Sequence, residues 1–262
     1  MSYEYLSVEK REFISIVTFN RAARANAVNY DFLTEIEAVA RDFRHDAESR
    51  VVIFVGAGKH FSAGADIDGM SAEAEVPLVL KRRRSQAGAR AINALLAMDQ
   101  ITISAWRGGA IGGGGCLACA TDFRIGADDC FLQFPEIDLG LNLMWQSVPL
   151  MVRTFGPALA KRLLIGGERI YAPELNEWQL LEALVPVDEL MEQALEFAAR
   201  YAAKSPVAAQ MIKKSINQYA GALDCAIMHG DADQNILTFT TSDQKQAANA
   251  YLNKTEAAFS GD

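Results

Sequence analysis

Gly58-Lys-His-Phe-Ser-Ala-Gly-Ala-Asp66 and Gly108-Gly-Ala-Ile-Gly-Gly-Gly-Gly-Cys116 are the two stretches that decide how this chain folds. Each puts Gly and Ala where main-chain N–H groups can approach a ligand without side-chain obstruction. In the second, glycines just ahead of a helix present unused N–H groups and the positive end of the helix dipole. Two donors from two loops, aimed at one oxygen, stabilise developing negative charge, and losing one costs on the order of 3 kcal/mol. The competing readings are a tight turn after a strand for the first stretch and close helix packing for the second. A dinucleotide-binding loop fits less well, because no G-x-G-x-x-G follows a strand with an acid about 20 residues on.

Outward from these loops, strands and helices alternate. Ile14-Ser-Ile-Val-Thr-Phe19 is rich in β-branched residues and predicts a strand. Phe32, Leu33, Ile36, Val39, Ala40 and Phe43 recur at helical spacing. Val51-Val-Ile-Phe-Val55 reads as a strand buried on both faces, ended by Gly56-Ala-Gly58. A helix over Ala87 to Met98, a strand over Ile101 to Trp106, a small-residue helix over Gly112 to Ala120 and a strand over Phe123 to Ala127 follow. After about residue 188 the pattern is helical; Pro173, Pro186 and Pro206 sit at helix edges. Interleaved strands and helices predict an α/β layered fold. The tail's apolar face (Leu190, Ala194, Phe197, Ala198, Tyr201) needs a surface to pack on. A partner subunit is the expected one, the chain's own core the alternative.

Composition narrows the classes. With 262 residues, half of them hydrophobic, the chain can bury a large core. Its net charge of −8 argues against a nucleic-acid surface. Lys81-Arg-Arg-Arg84 is a local basic cluster, read first as a solvated helix face and second as a phosphate contact. The start, Met1-Ser-Tyr-Glu-Tyr-Leu, does not have the pattern of a signal peptide, and no apolar run approaches the roughly 18–20 residues of a spanning helix. The expected location is cytoplasmic. Cys116 and Cys119 form an isolated C-x-x-C, and the three histidines are scattered, so neither a disulfide framework nor a metal site is expected.

Asn20-Arg21 with Asn26-Ala27, His60-Phe-Ser-Ala-Gly-Ala-Asp-Ile67, the Gly run before a helix ending in Thr121-Asp122, and Phe134-Pro-Glu136 with Leu139-Gly140 resemble the crotonase superfamily, the enoyl-CoA hydratase/isomerase family. The resemblance runs in one register from about residue 10 to 260. It implies a spiral of repeated ββα units over residues 1–195, with a helical trimerisation region at 196–262. It also implies a trimer or dimer of trimers and a CoA thioester as substrate, with no separate cofactor. An oxyanion hole would come from the N–H groups of Ala65 and Gly113. Arg24, Ala25, Ala27, Ala63, Asp66 and Ile67 would line the CoA path, and Lys254 would reach a CoA phosphate of a neighbouring subunit.

The chain departs from the hydratase pattern at one catalytic position. Hydratases of this family hold water with two glutamates, one giving a proton and the other taking it. In this register the first falls on Cys116 and the second on Glu136. A thiol is a weak acceptor with an ordinary pKa near 8.5 and does not replace a carboxylate. Cys116 therefore reads as a small apolar filler. Met144 and Trp145, in the loop after Gly140, are expected to dry the acyl pocket. One carboxylate in a dry pocket suits a Δ3,Δ2-enoyl-CoA isomerase with Glu136 as its base. Asp138 and Asn142 are second-line candidates. The alternatives are a hydratase of low or altered activity, a non-catalytic acyl-CoA-binding relative, and another crotonase reaction such as thioester hydrolysis or decarboxylation.

Overall fold

The computed structural model describes residues 3–66 and 76–262. Strands run in chain order as β1 (Leu6–Arg11), β2 (Ile14–Phe19), β3 (Val51–Gly56), β4 (Ile101–Trp106), β5 (Gly109–Ile111), β6 (Phe123–Ala127), β7 (Phe131–Gln133), β8 (Ile170–Tyr171) and β9 (Ala183–Val185). The larger sheet has the order β1-β2-β3-β4-β6-β9 and the smaller the order β5-β7-β8. Only β1 is antiparallel to its neighbour in the larger sheet; β2, β3, β4, β6 and β9 pair in parallel. The chain passes from the large sheet to the small one and back, β4 to β5 and β6 to β7, with helices between the passes. This is an α/β spiral of ββα units: the strand–helix pattern anticipates the α/β layers, and the family resemblance the spiral.

The predicted strands at 14–19, 51–55, 101–106 and 123–127 match β2, β3, β4 and β6 within one residue. Val51, Val52, Ile53 and Phe54 are all fully buried, as a parallel strand covered on both faces requires. The helix predicted from Phe32 spans Tyr30–Asp42, and the Asn29 side chain accepts the N–H of Phe32 at its start. Phe32 and Phe61 both pack on Phe19 of β2, with ring centroids 5.4 and 5.2 Å away. Phe61 thus anchors the 58–66 loop to the core.

The tail corrects one expectation. Helix Leu190–Ala202 lays Leu190, Ala194, Phe197 and Ala198 on the chain's own large sheet, against Ile16, Val51, Ile53 and Ile103. Its apolar face needs no partner subunit, and the expected boundary at residue 195 falls inside it. The next helix, Pro206–Ala220, is held by Lys213, which donates to Gln100 O at 2.6 Å and pairs with Asp122 at 2.7 Å. Both of those acceptors lie on the core, so the tail is fastened there by a buried charge. Beyond it, helix Asp231–Thr238 folds back over the loop that follows Glu136.

Candidate active site

The two glycine-rich stretches meet. Phe61 N–H donates to Arg107 O at 2.9 Å, Ser62 N–H to Gly109 O at 3.1 Å, and Ile111 N–H to Ser62 O at 3.0 Å. His60 adds a side-chain tie, its Nδ1 accepting the N–H of Gly109 at 2.9 Å. The fit between the loops leaves no room for side chains. A β-carbon at Gly64 would stand 2.4 Å from Ile111 O and 3.4 Å from the N of Gly113. On its other side the 63–66 stretch pairs with Val28: Val28 N–H donates to Gly64 O at 2.7 Å, and Asp66 N–H to Val28 O at 3.0 Å. That alternation leaves the N–H of Ala65 outside the pairing. Gly113 is the first residue of helix Gly113–Cys119, where an N–H has no partner within its own helix.

Ala65 and Gly113 line one pocket of about 130 Å³, and Glu136 lines it with them. Among the described residues Glu136 is the only acid in its wall. Its position follows from a 3₁₀ turn, Pro135–Leu139, which starts on Pro135 and closes on Gly140 at a positive φ of 66°. The Glu136 Oε2 is fully buried and has no hydrogen-bond partner. Burial pushes the carboxyl up to about 7, opposed by a hydrogen bond from its own main chain. A carboxyl in that range exchanges a proton readily near neutral pH.

Cys116 does not line this pocket. It is buried behind the wall, and its Sγ lies 3.1 Å from the hydroxyl of Ser147, which does line it. Burial drives the Cys116 thiol far above its ordinary range, so it stays protonated. Asp138 is exposed and sits against Gly167, away from the pocket. Asn142 is part of the wall, and its side-chain amide donates to Gln234 Oε1 at 3.0 Å.

Met144 and Trp145 both face the pocket. The indole lies in a slot between two glycines: a β-carbon at Gly113 would fall 1.9 Å from its Cζ3, and one at Gly88 2.2 Å from its Cδ1. Trp145 and Gln146 both hold left-handed conformations, with φ of 62° and 61°. Such residues cost on the order of 1–3 kcal/mol each unless their surroundings fix them. Buried Asp231 helps to do so, accepting the N–H of Gln146 at 3.0 Å.

The residues expected along a CoA path are placed unevenly. Ala63 is in the pocket wall and its N–H donates to Ala25 O at 2.9 Å, whereas Ala25 and Ala27 themselves do not line the pocket. Asp66 is paired with Arg21 at 2.6 Å. Arg24 and Lys254 are exposed and line no part of the pocket, and Ile67 lies outside the described residues. Sequence reading missed Asn235 and Phe239, which close the pocket from the tail. With Asp231 they recur every four residues on one helix face, a signal that was present but not distinctive.

A family model for enoyl-CoA hydratase/isomerase matches residues 9–262. The chain belongs to the enoyl-CoA hydratase/isomerase family. It is 32% identical over 260 residues to a crotonyl-CoA hydratase of Syntrophomonas wolfei, covering 99% of each chain. It is 30% identical over 263 residues to a 2,3-dehydroadipyl-CoA hydratase of Escherichia coli K12, covering 98% of each. A crystal structure of an enoyl-CoA hydratase from Bacillus anthracis superposes with a TM-score of 0.78 at 28% identity, over 99% of this chain and 100% of that one. An enoyl-CoA hydratase from Mycobacterium avium subsp. paratuberculosis shares the fold with a TM-score of 0.87 at 23% identity, over 99% of this chain and 100% of that one. Membership supports an acyl-CoA enzyme acting on enoyl thioesters, as the glycine loops suggest.

Proposed function

We propose that this enzyme is a Δ3,Δ2-enoyl-CoA isomerase in which Glu136 is the single base. The thioester oxygen of a 3-enoyl-CoA accepts hydrogen bonds from the N–H groups of Ala65 and Gly113. The Glu136 carboxylate removes a proton from C2. The electron pair spreads over a dienolate held by the two donors. Glu136, now protonated, returns the proton at C4, and the double bond moves from C3–C4 to C2–C3. No atom is added, so no water is required.

The observation that carries this reading is the carboxyl count: Glu136 is the sole acid in the described pocket wall, and the other family position is a buried thiol. The desolvated Glu136 supports proton shuttling, and the indole of Trp145 and the side chain of Met144 support a dry pocket. Arg24, Ala25, Ala27, Ala63 and Asp66 are proposed to follow the CoA arm, with Lys254 serving a neighbouring subunit. A homotrimer or dimer of trimers is supported by exposed Met211, Ile212, Ile216, Tyr219 and Leu223, on helix Pro206–Ala220 and just after it.

The names of the relatives favour a second reading, enoyl-CoA hydratase. One assay separates the two. Purified protein is given 3-hexenoyl-CoA and, in parallel, crotonyl-CoA, with formation or loss of the 2-enoyl chromophore followed by absorbance. Turnover of the 3-enoyl substrate alone is expected. Hydration of crotonyl-CoA at a comparable rate would reject the one-base assignment.

A further inference from the structure

The 130 Å³ pocket adjoins a larger cavity of about 370 Å³, and the two share Ala65, Met144, Trp145, Asn235 and Phe239 in their walls. The larger cavity carries two cations, Lys81 and Arg84, from helix Leu78–Ser85. Three residues apart, they lie on one face of that helix. They come from the basic cluster read first as a solvated face, and the cluster does not behave as a unit. Arg82 turns outward and is spent on Asp233, with bonds of 2.6 and 2.8 Å. Among the described residues neither Lys81 nor Arg84 makes an ion pair. Each rests near an aromatic ring instead, Lys81 Nζ 5.6 Å from the centroid of Phe239 and Arg84 Cζ 5.8 Å from that of Tyr30. Two acids, Asp31 and Asp66, also border the cavity. Asp66 is neutralised by Arg21 at 2.6 Å, so that among the described residues two cations face one carboxylate.

We propose that Lys81 and Arg84 form a subsite for an anionic group carried by the thioester ligand. The inference rests on the acyl-CoA reading above and extends it. A ligand whose carbonyl lies at Ala65 and Gly113 must send one of its two ends into this cavity. Two anions are chemically possible there, a phosphate of the CoA moiety or a carboxylate at the far end of a dicarboxylic acyl chain. Both would take charge-assisted hydrogen bonds from the ammonium and the guanidinium.

The test compares binding of three saturated ligands by calorimetry: hexanoyl-CoA, adipoyl-CoA and S-hexanoyl-pantetheine, which lacks phosphates. Wild type is set against Lys81→Gln and Arg84→Gln, two changes on an outward-lying helix that break no ion pair among the described residues. If the anion is a chain carboxylate, each substitution weakens adipoyl-CoA by about tenfold and leaves the other two ligands within about twofold. If it is a CoA phosphate, both CoA thioesters weaken by about that factor and the pantetheine thioester does not. Unchanged affinity for all three, or equal weakening of all three, overturns the subsite while leaving the acyl-CoA reading in place. Failure of wild type to bind any of the three would remove that reading and the subsite with it.

Discussion

Gly112 and Glu136 are in contact: a β-carbon on Gly112 would stand 2.2 Å from Glu136 Oε1. Gly112 also takes φ 49° and ψ −118°, a region closed to L side chains. The glycine ahead of the helix therefore serves two purposes. It turns the chain so that Gly113 N–H faces the pocket, and it leaves room for the carboxyl. Gly112→Ala is expected to displace Glu136 and lower kcat/KM for 3-hexenoyl-CoA by more than about 100-fold, roughly 2.7 kcal/mol in barrier. Steady-state kinetics on the folded variant checks this, and a loss below about fivefold would show that the contact does not position the base.

Glu136→Gln separates catalysis from stability through pH. The folded carboxyl titrates at about 7 against an ordinary 4.5, because burial disfavours its charged form. As a base it must be ionised, so wild-type turnover should rise with pH through about 7, and the Gln variant should have none. For stability the sign is opposite. The folded state holds this proton more tightly than the unfolded chain does. Its contribution is complete below about 4.5 and is lost as pH rises through about 7. The full span corresponds to about 3 kcal/mol. The neutral amide escapes that loss, so Glu136→Gln should gain stability relative to wild type between pH 5 and pH 8. Urea denaturation at the two pH values measures the difference, and a constant difference would mean that Glu136 is not desolvated.

Some of this was legible before the fold and some was not, for physical reasons. Strands β2, β3, β4 and β6 announced themselves because burial on the sheet demands β-branched and apolar residues. β1 did not, since only Leu6 among its six residues is buried. The loops carrying Ala65 and Gly113 were legible because close backbone approach excludes side chains and leaves a glycine signature. The slot for Trp145 was not, because Gly88 and Gly113 come together only when two helices pack. Asn235 and Phe239 were hidden for the same reason. Their helix reaches the pocket by folding back across the chain, and nothing local in sequence records that.

Cys116→Ala should leave turnover within about twofold of wild type. The thiol lies behind the wall, is protonated, and has its hydrogen-bond contact with Ser147 at 3.1 Å. Its removal costs packing, for which about 1 kcal/mol is expected from the loss of one small buried group. Alkylation gives an independent reading: at pH 8 the folded protein should leave Cys116 unmodified by iodoacetamide, as seen by peptide mass spectrometry. Fast labelling there, or a loss of turnover above about 100-fold on substitution, would give the cysteine a chemical role.

Trp145 should set how long an acyl chain the pocket accepts. The indole fills the space between Gly113 and Gly88, and the pocket it walls is small, about 130 Å³. A chain directed toward the slot meets the ring as it lengthens. Trp145→Ala would open the slot toward helix Ala87–Leu96. Each added methylene buried there contributes about 0.8 kcal/mol, so the ratio of kcat/KM for 3-decenoyl-CoA over 3-hexenoyl-CoA should rise at least about tenfold. The substitution also empties a core position, with an expected stability cost of about 3–5 kcal/mol. Trp145→Phe, which keeps a ring against Gly88 but draws back from Gly113, is the milder companion and should shift the ratio in the same direction by less. Kinetics across the acyl series, with circular dichroism to confirm folding, decides it. A ratio unchanged in both folded variants would place the acyl tail elsewhere and leave Trp145 as a structural wedge between the two helices.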